Sequence, residues 1–198
     1  MAKRSILSVY PDLPALLNKA VAIPYKDHAF RVVPGSSIVH KLRFKHLWAG
    51  NAAGRFNPAG VSRLYLSIER KTADREFSYY QKSAGFNPYL VDFYSFSVEV
   101  NLSRVLELRD RNTRKLFGIS RAKILQAWEP DPLAPSSASP TRLQAIGYCT
   151  SKGIGNFSGI IAPSARKATG HNIVIFKGRL SVGDSVKPLS PVATTGWT

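Results

Sequence analysis

The sequence predicts an α+β fold, and three observations carry that expectation. Strand-like and helix-like stretches are interleaved without regular βαβ alternation, which argues against a doubly wound sheet. The sharpest strand signal runs through residues 94–102, where Tyr94, Phe96, Val98, Val100 and Leu102 alternate with Ser95, Ser97, Glu99 and Asn101. Period-two alternation places one face on a core and the other in solvent. The sharpest helix signal is the capping box of Thr141 and Gln144, which opens a helix reaching about Ser151.

The other elements follow in chain order. Residues 12–22 read as a short helix with Asp12 as N-cap and Pro14 in the first turn. Residues 29–33 are a brief strand ended by Pro34, and residues 41–63 form a basic, Gly/Asn-rich irregular loop. A strand is expected at 64–67, then a helix at 70–83 stopped by Gly85 and Pro88. Two short helices follow, at 111–117 and 120–128, and then a Pro/Ser-rich loop at 129–140. Residues 160–161, 172–176 and 178–182 read as closing strands, with a loose tail from Val192. Neither an internal repeat nor a second domain is expected.

Composition bounds the function. With 198 residues, 44% of them hydrophobic, the chain is long enough to bury a sizeable core. No stretch approaches the apolar length of a membrane helix, and the N-terminus lacks the apolar run of a secretion signal, so a cytoplasmic location is expected. Cys149 is the sole cysteine, which excludes an internal disulfide and a cysteine-cluster metal site. His28, His40, His46 and His171 show no metal-ligand spacing, so a metal-independent site is expected. Twenty-eight Lys and Arg against 12 acids give a net charge of +16, which suits a nucleotide, a nucleic acid or an acidic protein as partner. The basic run at 104–123 keeps a nucleic-acid-binding module open as an alternative. A solvated helical face accounts for that run equally well, and no helix-turn-helix or aromatic RNA-binding signature supports the alternative.

Three segments carry polar residues that a mere scaffold does not need. Arg31 lies inside the apolar strand Phe30-Arg31-Val32-Val33, where it is matched by a carboxylate, faces solvent or meets a ligand. Arg55 lies between Gly54 and Gly60 in the run Gly54-Arg55-Phe56-Asn57-Pro58-Ala59-Gly60, where an arginine's planar fork suits a phosphate. Tyr65 and Ser67 follow, and then Glu76, one helical turn after Thr72 and on the same face. Glu76 is either a solvated helix residue or a functional carboxylate. Ser164 follows a strand and Pro163, but no G-x-S-x-G elbow surrounds it, so a serine nucleophile is disfavoured. Walker and dinucleotide glycine fingerprints are likewise absent from the sequence.

The order of these segments resembles the RES domain, a toxin family named for its Arg, Glu and Ser. The similarity rests on Ala29-Phe30-Arg31-Val32, the Gly-Arg-aromatic-Asn loop, Tyr65-x-Ser67, Thr72-Ala73-x-x-Glu76, Gly159-Ile160-x-x-Pro163-Ser164-x-Arg166 and Asn172 to Phe176. The strand near Val98 and the Leu106-x-Leu108-x-Asp110 stretch fall where the family has its central strand and the segment after it. Two departures stand out: Ala53 where the family often has glycine, and Asp74-Arg75 where it tends to be apolar. The resemblance implies one domain over residues 1–198, with a core at about 29–182 and an ADP-ribosyltransferase-like cleft for NAD.

It further implies a toxin that consumes NAD and is held by an Xre-like antitoxin in a hetero-oligomer. The ADP-ribose would pass to water, phosphate or a protein acceptor in nucleotide metabolism; a catalytically inactive interaction module is the other alternative. In that family reading Glu76, Arg31 and Ser164 are catalytic. Arg31, Arg55, Tyr65, Asn57 and Ser164 bind NAD, and an antitoxin segment covers Arg31 and Arg55.

Overall fold

The computed structural model describes residues 5–35, 52–87, 93–126 and 140–189, together with the backbone of 192–194. Two short helices, α1 (Ile6–Val9) and α2 (Leu13–Lys19), lead into β1 (Ala22–Pro34). After the loop come β2 (Leu64–Ser67), α3 (Arg70–Ser83) and β3 (Phe93–Glu107). Helices α4 (Arg111–Leu116), α5 (Arg121–Leu125) and α6 (Arg142–Ser151) precede β4 (Gly159–Pro163) and β5 (His171–Ile175). A 3-10 turn at Lys177–Arg179, β6 (Ser185–Pro188) and β7 (Val192–Thr194) complete the described chain. Helix and strand are thus mixed as an α+β fold.

The sheet is organised by its longest pair. β1 runs antiparallel to β3 from Ala22–Leu106 to Pro34–Phe93, with a bulge between Ile23 and Tyr25. β3 continues into a parallel ladder with β4, β4 pairs β5, and β5 pairs β2, the last two antiparallel. β2 returns to β1 at Phe30–Ser67, so the five strands form a closed circuit. Alternate residues then face two apolar clusters. Ala29, Val33, Phe96, Val98, Ile161 and Ile173 fill the inside of the circuit. Ile160, Ala162 and Val174 point the other way, onto Leu13, Leu17, Ile146 and Phe157 beneath the helices. Each such leucine, isoleucine or phenylalanine buried from water contributes about 1.5–3 kcal/mol.

Several elements differ from the sequence reading, each for a physical reason. β1 has 13 residues where five were expected, because the polar stretch Lys26-Asp27-His28 is exposed strand paired with Glu99–Asn101 and shows no apolar alternation. That pairing also ends α2 at Lys19, since Ala22 is already in the sheet. Asp12 is not a side-chain cap of α2: its carboxylate meets the Arg142 guanidinium on α6. Residues 178–182 are not a strand. Asp184 accepts from the Ser181 N–H and the Ser158 hydroxyl and holds a turn there, Val182 is fully exposed, and the strand comes later at β6.

The backbone of Val192–Thr194 pairs with Phe93–Ser95 where a loose tail was expected, and residues 195–198 lie outside the described residues. So do 41–51 of the basic loop, 129–139 of the Pro/Ser-rich loop and the Pro88 stop signal after α3. α5 ends at Leu125, short of the expected 128.

Candidate functional site

The site forms where the circuit of strands parts. Among the described residues the β1–β2 ladder has the single register pair Phe30–Ser67. Beyond it the Arg31 guanidinium takes over, donating from Nη1 to the Tyr65 carbonyl at 2.8 Å. The opening between the two strands is a cleft of about 490 Å³, with Arg31 and Val32 on one wall, Tyr65 on the other, and Glu76 and Tyr80 of α3 above.

α3 presents Glu76 because its inner face is set by Thr72, Ala73 and Phe77, all buried. Asp74 is only half-buried and Arg75 is exposed, so these two departures from the family pattern leave the inner face of α3 unchanged. Glu69, just before α3, accepts from Thr72 Oγ1 at 2.7 Å and from the His171 N–H at 2.9 Å, which ties the start of the helix to β5.

Glu76 is held by one oxygen and free at the other. Ser164 Oγ and Asn172 Nδ2 each donate to Oε1 at 2.7 Å. Oε2 has no hydrogen bond among the described residues, and Glu76 lines the cleft. Ser164 is itself buried and fixed, since its oxygen accepts the backbone N–H groups of Arg166 and Lys167 at 3.1 and 3.3 Å. Its hydroxyl proton is therefore committed to Glu76, and Ser164 does not line the cleft.

Arg55 lines the cleft, yet both terminal nitrogens are turned to main chain: Nη1 to Ile124 O at 2.9 Å and Nη2 to Pro163 O at 3.1 Å. Burial lowers its affinity for its proton, and the Glu76 charge opposes that shift. Burial lowers Arg31 as well, to about 10, with the like charge of Arg63 adding to the effect.

Asn57 is fully buried and does not reach the cleft wall, contrary to the binding role expected for it. Its Nδ2 donates to the carbonyls of Ala52 and Pro58, both at 2.9 Å. Its Oδ1 accepts from Arg63 Nε and Tyr65 Oη, both at 3.0 Å. Asn57 is the knot of the loop. Gly54 permits it, because a Cβ there would stand 2.7 Å from Asn57 Oδ1. Gly147 of α6 lets the loop lie on the helix, since a Cβ there would overlap the Phe56 carbonyl at 1.6 Å. Gln144 then secures the contact: besides closing its capping box with Thr141, it donates to Gly54 O at 3.0 Å.

Tyr65 lines the cleft with its hydroxyl occupied, accepting from the Phe56 N–H while it donates to Asn57. Arg63, Asn172, Tyr80 and Arg166 were not singled out as site residues from sequence, yet all four line the cleft. The signal for Asn172 was present in its strand motif. Arg63, beside a strand in a basic loop, reads as one more solvated charge.

The fold is thus a split-sheet α+β core whose cleft joins one fixed carboxylate to several cations. Residues 28–196 match the RES domain model, and the chain belongs to that family. Its fold is also that of a chain in the crystal structure of the M. tuberculosis MbcT–MbcA toxin–antitoxin complex, at 17% identity, a TM-score of 0.66 and 92% coverage of each chain. No curated protein matches the sequence. Among the described residues no helix is long and apolar enough to cross a membrane, and no group of three His, Cys, Asp or Glu is placed to hold a metal.

Proposed function

We propose that this chain is the toxin of a cytoplasmic toxin–antitoxin pair and that it breaks the nicotinamide–ribose bond of NAD. The single observation that carries this reading is Glu76, fixed at Oε1 by Ser164 and Asn172 and lining a cleft walled by arginines. Family membership supports it, as does a structural neighbour described as a toxin–antitoxin complex.

The chemistry follows from the charges. As the C1′–N bond of NAD breaks, its electron pair leaves with nicotinamide and positive charge builds on the ribose, as in glycoside cleavage. An ionised carboxylate already held in place stabilises that charge without reorganising at the moment of reaction. Oε2 of Glu76 meets the ribose, while Ser164 and Asn172 act through Glu76 as positioning residues. Arg31 binds the diphosphate, and Tyr65 forms the facing wall. Arg55 keeps a positive charge near Glu76, its fork already spent on main-chain carbonyls. A nucleophile then closes the ribose carbon: water, phosphate or a protein side chain. No step draws on a metal. The partner is an antitoxin of the Xre-like kind that the sequence resemblance implies.

Four arginines of the 104–123 run, on which the nucleic-acid alternative drew together with the net charge, also hold the fold. Arg104 donates to Asn156 O, Arg109 to Glu107, Arg114 to Leu108 O and Arg121 to Ala168 O. The deciding experiment follows free nicotinamide by chromatography after NAD is added to the wild type and to Glu76→Gln, with and without phosphate. Release by the wild type alone is expected. Equal release by both proteins, or none from the wild type even with cell extract as a source of acceptor, overturns the reading.

A further inference from the structure

We propose that Arg63 is a second anion-binding residue of the cleft, and that Arg31 and Arg63 together grip two adjoining phosphates across Tyr65. This deepens the NAD reading above and rests on it for the identity of the ligand, but the clamp itself is read from the geometry.

Tyr65 sits between the two guanidiniums. Its carbonyl accepts Arg31 Nη1 at 2.8 Å, and its ring carries the Arg63 guanidinium 5.4 Å from the centroid. Both arginines line the cleft. Each is anchored by a single nitrogen: Arg31 by Nη1, and Arg63 by Nε on Asn57 Oδ1. Arg31 Nε and Arg63 Nη1 are buried and have no hydrogen-bond partner among the described residues. Neither residue forms an ion pair among the described residues, where the arginines that do are Arg109 and Arg142. Two like charges thus face one partly desolvated cleft with donors to spare, an arrangement that is costly until an anion enters.

The other cleft cations are differently committed. Arg55 has spent both terminal nitrogens on carbonyls, and Arg166 lies on the Tyr79 ring at 3.1 Å from its centroid. Guanidinium forks suit phosphate oxygens because they offer paired parallel donors, which a lysine does not. The Arg63 guanidinium is anchored on the same Asn57 Oδ1 that accepts the Tyr65 hydroxyl, so the loop and the clamp are one construction. The ligand class is therefore a diphosphate ester, with Arg31 and Arg63 at the phosphates and Glu76 reserved for the sugar beyond them.

The test uses the full chain and ligands that carry no nicotinamide, so it does not depend on turnover. Pyrophosphate and ADP are titrated by calorimetry into the wild type, Arg63→Gln and Arg63→Lys, with melting temperatures recorded for each. Binding of both ligands by the wild type, weakened about tenfold or more in Arg63→Gln, is expected. Arg63→Lys, which keeps the charge and loses the fork, is expected to fall between, and it is the variant read if Arg63→Gln does not fold. Equal binding by wild type and Arg63→Lys together with Arg63→Gln, or no pyrophosphate binding by the wild type, overturns the clamp. Clamp binding without any nicotinamide release from NAD overturns only the proposed reaction.

Discussion

Asn172 joins Glu76 to Ser67: its Nδ2 donates to Glu76 Oε1 at 2.7 Å while its Oδ1 accepts from Ser67 Oγ at 2.9 Å. The amide is thus oriented by the sheet and orients the carboxylate in turn. Asn172→Asp keeps the shape and replaces the donor with an anion at hydrogen-bond distance from Glu76. Two carboxylates so close do not both stay ionised without moving apart. Nicotinamide release is expected to fall at least tenfold, and further than in Asn172→Ser, which removes the donor without adding charge. Equal rates for Asn172→Asp and wild type would remove Asn172 from the site.

Glu76→Gln is the cleaner removal of charge. Its side-chain oxygen can still accept from Ser164 and Asn172, so the fold and the NAD affinity are expected to persist. Turnover is expected to drop about a hundredfold or more, the scale for losing one preorganised electrostatic group. NAD binding by calorimetry and nicotinamide release separate the two effects. A drop confined to affinity would show that Glu76 binds without assisting the reaction.

How far this site was legible from sequence depends on which bonds a residue makes along the chain and which across it. The capping box of Thr141 and Gln144 is local, and it stands where the spacing puts it. The second bond of Gln144, to Gly54 O, crosses 90 positions and leaves no local trace. Arg31 and Ser164 were conspicuous as polar residues beside apolar strand residues and Glu76 by its spacing from Thr72, and the structure brings Glu76 and Ser164 into contact and Arg31 to the same cleft. Asn57 was singled out as a ligand contact and Arg63 was not, yet Asn57 is buried outside the cleft lining and Arg63 lines it. β1 was found at its apolar end only, because pairing with β3, and not its own alternation, makes Lys26 to His28 a strand.

Ser164→Ala tests whether the serine acts on substrate or on Glu76. The variant leaves the N–H groups of Arg166 and Lys167 without their acceptor in a buried place and takes one of two donors from Glu76. A stability loss of about 1–3 kcal/mol is expected, or a melting temperature several degrees lower at this chain length. Turnover is expected to fall with little change in the NAD concentration needed, since Ser164 does not line the cleft. A large loss of NAD affinity at unchanged stability would instead put the hydroxyl on the ligand.

Asn57→Ala removes a fully buried side chain that serves two carbonyls, one guanidinium and one phenol. Stranding several polar groups at once is expected to cost about 2–4 kcal/mol. Chemical denaturation measures that cost directly. Pyrophosphate binding should weaken too, because Arg63 loses its anchor. A variant as stable as wild type would mean that the loop is held from elsewhere, and Asn57 would return to consideration as a ligand contact.

Tyr65 links the same knot to alkaline pH. Burial is the main cause that pushes its hydroxyl up to about 12 from the ordinary value of 10, against the opposing pull of the Phe56 N–H and the nearby arginines. A group whose folded value is raised adds stability that is fully present below its unfolded value and is lost as pH rises through the folded one. The contribution of Tyr65 is therefore intact up to about pH 10 and fades toward pH 12. In Tyr65→Phe the hydroxyl's bonds to Asn57 and Phe56 are gone at every pH, so the variant should be less stable at neutral pH. The gap to wild type should then narrow between pH 10 and 12. Urea midpoints across that range make the comparison, and a gap that stays constant would show that folding does not raise the Tyr65 hydroxyl.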